Sequence, residues 1–224
     1  MDTLIPLSQK LYLLGINSEK GGILSRSQSA MDYVILGALL MELHLLKKIK
    51  FEDKRIVVLS DKAESEIHQF MLDKMNKARR KKKISTWINS FFYSHSKIRA
   101  EIQKGLENKR LIRMQPKRFL FFKWKKPYVS NKQALYKLVD EVKSQIMTGT
   151  SVEEELILLS FLAPAGLLYR LFPERSKRKM AKERLKQMMV KNRVSAAVAD
   201  AISASQAVAA SVAASAAASS VATS

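Results

Sequence analysis

The chain contains no cysteine. That absence removes a disulfide framework, a thiolate nucleophile and any cysteine-based metal site. Glycine and proline are also sparse, with seven and five in 224 residues, too few turn formers for a many-stranded β architecture. Acidic residues are outnumbered two to one: 20 Asp and Glu face 40 Lys and Arg, for a net charge of +20. Such a charge attracts polyanions, and nucleic acid and anionic membrane surfaces are the two obvious classes. No apolar run is long enough to cross a bilayer, which takes roughly 20 residues; the longest, Leu156–Tyr169, is interrupted by Pro164. The start, MDTLIPLSQKLYLLG, has an early Asp and no basic region followed by an apolar one, so no secretion signal is expected. The expected location is cytoplasmic, with any membrane contact peripheral.

Catalytic constellations are missing as well. His44, His68 and His95 stand singly, without metal-ligand spacing, and a structural role is the expectation for each. Glu42 lies inside an apolar stretch, where a carboxylate is either catalytic or paired. An Arg from another helix or hydrogen bonds at a helix end are the expected partners. There is no phosphate-cradling Gly-rich loop and no nucleophile–base pair. The chain is not expected to be an enzyme, to carry a cofactor or to bind a metal.

What the chain does have is apolar and helical. Hydrophobic residues make up 47%, and long stretches rich in Leu, Ala, Lys, Met and Glu favour helix. Met31–Leu59 is the most informative. From Tyr33 to Leu46 apolar residues cover every face, so this helix should be buried all round. Ile49–Phe51 and Arg55–Leu59 then read as two short strands about a Glu52-Asp53-Lys54 turn. Before it, Ser8–Leu14 is a short helix ending at Gly15, and Asn17–Arg26 is a polar loop turning at Gly21-Gly22.

After the hairpin, Ile67, Met71 and Met75 mark a helical stripe within Asp61–Lys83. That segment ends in the basic run Lys77–Lys83. Ile84–Phe92 reads as a helix with Trp87, Ile88, Phe91 and Phe92 on an aromatic face, and Ser94–Asn108 as one with Ile98, Ile102 and Leu106. A second hairpin is expected from Leu111–Met114, a turn at Gln115-Pro116-Lys117, and the run Arg118–Lys126. Asn131–Met147 is an amphipathic helix, and Thr148–Ser151 a break. Ser151-Val152-Glu153-Glu154 matches a capping box, Leu156–Phe172 is core, and Pro173 opens a helix to about Val190. The Ala/Ser tail from Val194 reads as helix to about Ala218, given the propensity of Ala.

The second hairpin carries the main functional candidates. Phe119, Phe121, Phe122 and Trp124 sit among Lys117, Arg118, Lys123, Lys125 and Lys126. Alternation allows one face of such a strand to pack on the core while the other is exposed. Aromatic rings rimmed by cations suit a membrane interface; burial on both sides, or self-association through the hairpin, would use the same residues. The rival use of the positive surface is nucleic-acid binding in the manner of a winged helix. Neither helix before a hairpin has the Arg/Asn/Gln-rich face that base reading needs, so nucleic acid is the less favoured partner.

The stretches LYLLGINSEKGGIL and LGALLMELHLLKKIKFEDKRIVVLSD resemble the beginning of the Golgi phosphoprotein 3 family domain. In that family a Leu-rich start leads into a G-x-(L/M)-x-x-E-L helix and a hairpin. The similarity continues through Lys97–Leu106, Phe119–Phe122 and Leu156–Phe172. It implies a mainly α fold: a single domain over 1–224, with helix and hairpin elements over 11–147 and a helical portion over 151–224. A buried central helix and two short β-hairpins, one aromatic and exposed, complete the implied architecture. The resemblance further implies a peripheral membrane adaptor binding anionic lipid headgroups, phosphatidylinositol 4-phosphate in the family's eukaryotic members, with membrane-protein cargo as a second partner. The family's headgroup pocket uses a Trp and three Arg. By this likeness Arg99 matches one of them, while Ser27, Leu36 and Ser96 stand at the other positions; the Ala/Ser tail and short loops look more like the prokaryotic branch. The implied headgroup contacts are therefore Arg99, with Lys97 and Lys104 beside it, and the membrane-inserting set is Phe119, Phe121, Phe122 and Trp124.

Overall fold

The computed structural model describes residues 5–150 and 152–189, together with positions 198, 200 and 202. The described part is mainly α: nine helices and two separate two-stranded antiparallel sheets. At its centre is α2 (Met31–Leu45), whose buried residues run almost without interruption from Met31 to Leu43. A helix apolar on all sides has no solvent face, so it must be wrapped, and α1 (Leu7–Gly15), α4 (Ile84–Phe92), α5 (His95–Asn108) and α7 (Glu153–Leu162) pack against it. Gly37 marks the closest approach. A Cβ there would collide with Ile202 Cδ1 and meet Phe161 Cε1 at 3.2 Å.

The first hairpin joins β1 (Ile49–Glu52) to β2 (Arg55–Val58), with Glu52 opposite Arg55. The turn is therefore Asp53-Lys54 alone, and both residues take positive φ, 46° and 60°. A two-residue turn with both φ positive matches the twist of the strands it joins. Ile49 and Ile56 are buried, and Phe51 and Val58 pack on the same core cluster. The chain just before α4 braces this hairpin: the Ile56 amide donates to the Lys82 carbonyl at 3.0 Å, and the Ile84 amide to the Lys54 carbonyl at 2.9 Å. Between β2 and α4 lies α3 (Glu66–Asn76), capped by the Ser65 hydroxyl, with His68, Met71, Leu72 and Met75 inward.

The second hairpin departs from expectation. Strands β3 (Ile112–Phe119) and β4 (Phe122–Val129) pair from Ile112–Val129 out to Phe119–Phe122. The turn is Leu120-Phe121, and the expected turn Gln115-Pro116-Lys117 lies inside β3, with Pro116 opposite Lys125. A two-stranded ribbon leaves one edge of each strand unpaired, and such an edge accepts Pro. Nor does the wing lay one face along the core. Only its base is buried, at Ile112, Pro127 and Val129, while Phe122 to Lys125 are exposed.

The remaining elements close the core. α6 (Lys132–Thr148) starts at Asn131, whose side chain accepts from the Ala134 amide, and buries Leu135, Leu138, Val139, Val142 and Ile146. α7 follows, with three Glu in its first turn, where the helix dipole favours them. The short α8 (Leu168–Leu171) leads to α9 (Arg175–Met189), which buries Ala181 and Leu185. Ser151, the first residue of the expected capping box, lies outside the described residues, as does most of the expected tail helix. Of that tail, Val198, Asp200 and Ile202 are described; all three are helical, and Val198 and Ile202 are fully buried.

Candidate functional site

Among the described residues, the tip of the second hairpin holds the longest consecutive run of exposed large apolar side chains. Phe119, Leu120, Phe121 and Phe122 are 66% to 91% exposed, and Trp124 is half exposed. The geometry follows from the register. A two-residue turn between Phe119 and Phe122 gathers four consecutive apolar side chains at one end of an eight-residue ribbon. Lys117, Arg118, Lys123 and Lys125 follow immediately behind, so the hairpin is an apolar cap on a cationic stalk. Of the two turn residues only Leu120 has a positive φ, 52°, a conformation that costs a bulky side chain about 1 kcal/mol or more. The hairpin base is anchored: the Gly22 amide donates to the Pro127 carbonyl at 2.7 Å. Gly21 and Gly22 take φ of 65° and 71°, and a Cβ on Gly21 would clash with the Tyr128 ring.

The three cations of α5 do not converge. Lys97 and Lys104 are two helical turns apart on one side of the helix, and Arg99 points around to the other. The Lys97 ammonium lies over the Phe70 ring, 4.6 Å from its centroid. Lys104 is 3.8 Å from Glu101 and largely exposed. Arg99 is engaged by Asp32 in the first turn of α2, with Nε donating to Oδ1 at 2.9 Å and Nη2 to Oδ2. Burial works against its charge, but the Asp32 hydrogen bonds and charge outweigh it, so its pKa lies above the ordinary arginine value. The same pair borders Tyr12, whose hydroxyl is pushed up chiefly by burial. Ser27 and Leu36 are fully buried and Ser96 is exposed, so those three positions present no cation to a headgroup.

Glu42 is paired, although not with an Arg. Its Oε1 accepts from the Ser8 amide in the first turn of α1 at 2.7 Å, and its Oε2 pairs with His68 Nε2 at 2.8 Å. The carboxylate thus ties α1 and α3 to the central helix. His95 stacks on Phe92 and reaches the Phe92 carbonyl, and His44 reaches the Ile49 carbonyl. Among the described residues, no group of three His, Asp or Glu could hold a metal, and no helix is long and apolar enough to cross a membrane.

One residue of this surface, and the turn position of another, escaped the sequence reading. Asp32 was marked only by being an acid at the head of a greasy helix. Leu120 was marked by lying between Phe119 and Phe121, a signal that appears once the turn is placed correctly. Among curated proteins no match to the chain is found. A family model, Golgi phosphoprotein 3 (GPP34), matches residues 7–205, from the first residue of α1 to just past Ile202. That span includes the buried α2, both hairpins and the α7–α9 segment, and on this ground the chain belongs to the Golgi phosphoprotein 3 (GPP34) family.

Proposed function

We propose that this protein is a non-enzymatic, peripheral membrane-binding adaptor on anionic membranes of the cytoplasmic side, with lipid as its first partner and membrane-protein cargo as its second. The observation that carries the reading is the exposed Phe119–Phe122 tip on its cationic stalk. Burying one Phe side chain contributes about 1.5–3 kcal/mol. Each Lys or Arg held near an anionic surface adds about 1 kcal/mol. Two or three inserted rings with four following cations are therefore enough for reversible attachment. Lys97 and Lys104 are the proposed headgroup contacts on α5. Arg99 offers its remaining Nη1, the other nitrogens being held by Asp32. The family membership supports this reading at the level of the fold and the hairpin.

Vesicle flotation tests it. Vesicles of phosphatidylcholine with phosphatidylserine should carry the protein, and pure phosphatidylcholine should carry much less. Binding should fall with rising salt as exposed charges are screened. Phe121→Ser together with Phe122→Ser should release it. If the vesicles are ignored at physiological salt while random duplex DNA is bound, the membrane reading is wrong and the basic surface serves nucleic acid.

A further inference from the structure

Tyr169 on α8 stands partly exposed beside two guanidinium groups. The guanidinium carbons of Arg26 and Arg178 lie 4.1 and 4.3 Å from its ring centroid. Both distances are within cation–π range of the ring. Tyr169 and Gly166 form a wall common to two cavities, of about 670 and 800 Å³, with Arg26 lining the first and Arg178 the second.

The cavities differ in charge. In the first, Arg26, Lys143 and Arg170 are offset by Glu19 and Asp140, and Lys143 lies 3.7 Å from Asp140. The second is lined by Arg175, Arg178, Lys179 and Lys182 with no carboxylate in its wall. Spacings of three, four and seven place all four cations on one stripe of α9. Two acids flank the stripe in sequence: Glu174 is taken by Lys177 at 2.9 Å, and Glu183 does not line the cavity. Among the described residues, none of the four has a carboxylate within ion-pair distance. Like charges along one helix face repel one another, and nothing described in the cavity relieves them.

Arg178 is the best prepared of the four. Its Nη1 donates to the Phe172 carbonyl at 2.9 Å and to the Pro173 carbonyl, and its guanidinium carbon lies over the Tyr169 ring. Its Nε and Nη2 have no partner among the described residues. That edge carries two parallel N–H groups, the fork that matches two oxygens of a phosphate. A guanidinium already fixed by carbonyls and a ring loses little freedom when an anion binds.

We propose that this second cavity binds a phosphorylated anion with at least two negative charges. Arg178 grips two phosphate oxygens through Nε and Nη2, Arg175, Lys179 and Lys182 supply further charge, and Tyr169 holds Arg178 in place. The site is separate from the hairpin tip and from α5, and does not rest on the membrane reading.

Calorimetric titration with inorganic pyrophosphate at about 0.15 M salt, where exposed charges are screened beyond about 8 Å, tests it. Arg178→Gln should weaken binding about tenfold or more. Lys182→Gln, at an exposed position that cannot unfold the protein, should weaken it severalfold. Tyr169→Leu should do the same, and Tyr169→Phe should leave binding unchanged because the stack needs no hydroxyl. Arg80→Gln removes the same charge from the Lys77–Lys83 run and should have little effect. Equal losses for Arg178→Gln and Arg80→Gln, or no binding of pyrophosphate at all, would overturn the proposal. A second arm uses phosphatidylcholine vesicles containing phosphatidic acid. If Arg178→Gln lowers vesicle binding more than Arg80→Gln does, the ligand is a lipid headgroup; if only pyrophosphate binding falls, it is a soluble phosphate. Phe121→Ser should leave pyrophosphate binding intact, so this site and the hairpin can fail independently.

Discussion

The two hairpins are built alike and end differently. Each follows a helix, each is a two-stranded antiparallel ribbon, and each closes with a two-residue turn. The first has four-residue strands, a charged Asp53-Lys54 turn and a buried face at Ile49 and Ile56. It is also clasped from outside, where Arg55 Nη1 donates to the Lys81 carbonyl at 2.8 Å and Arg55 bridges to Lys83. The second has eight-residue strands, a Leu120-Phe121 turn and burial only at its base. One hairpin spends its apolar residues on the core, and the other carries them away from it. The same local device is thus packed on the core in one place and projects from it in the other. Tip chemistry and length decide which.

The comparison breaks most sharply on stability. Ile56→Ala should cost about 2–4 kcal/mol, because it opens a cavity in the core cluster, whereas Phe121→Ala should stay within about 0.5 kcal/mol of the parent. Denaturant unfolding of both variants checks this. A comparable loss for Phe121→Ala would mean that the tip is packed against something in solution, a second copy of the chain being the obvious partner.

On binding the order should reverse. Phe121→Ser with Phe122→Ser should lower affinity for phosphatidylserine-containing vesicles by more than about tenfold, from the apolar area of two rings. Asp53→Ser with Lys54→Ser should change it by less than about twofold. Equal losses in flotation would show that attachment depends on charge alone.

A smaller effect separates the two turns. Leu120→Gly should stabilise the second hairpin by up to about 1 kcal/mol, since Gly takes positive φ without steric cost, and should still weaken vesicle binding. Hydrogen exchange at the β3–β4 amides reads the first, and flotation the second. A gain in stability accompanied by lost binding would show a turn strained for the sake of its side chain. Smallest of all, Arg55→Ala should destabilise by about 0.5–1 kcal/mol, the usual net contribution of one hydrogen bond. Faster exchange of the β1–β2 amides, with β3–β4 unchanged, would confine the effect to the clasped hairpin.

Most helices were legible in the sequence because their signals are local. The expected Ile84–Phe92 helix coincides with α4, and those at Ser94–Asn108 and Asn131–Met147 agree with α5 and α6 within a residue. The first hairpin was legible because its turn residues, Asp53 and Lys54, are polar. The second turn was misplaced because Pro116 is a strong turn signal and a Leu-Phe turn is a weak one. That single shift changed the candidate site from a strand with two faces into an apolar tip. At Glu42, expecting a partner was correct, but the identity of that partner, His68, depended on how α3 packs beside α2. Arg99 was singled out by resemblance, and its capture by Asp32 could be seen only once α2 and α5 were side by side.

By itself the sequence determined the absence of cysteine chemistry, the charge of +20, the buried character of α2 and the alternation of helices with two hairpins. These depend on composition and on periodicities of a few residues. Only the tertiary structure decided where the apolar surplus is exposed, which cations are paired and which are left facing a cavity. Arg26, Tyr169 and Arg178 share no sequence pattern, and they form one cluster because α8 and α9 fold back beside the Ser25–Ser27 turn. Contacts between residues far apart in the chain leave no periodicity behind.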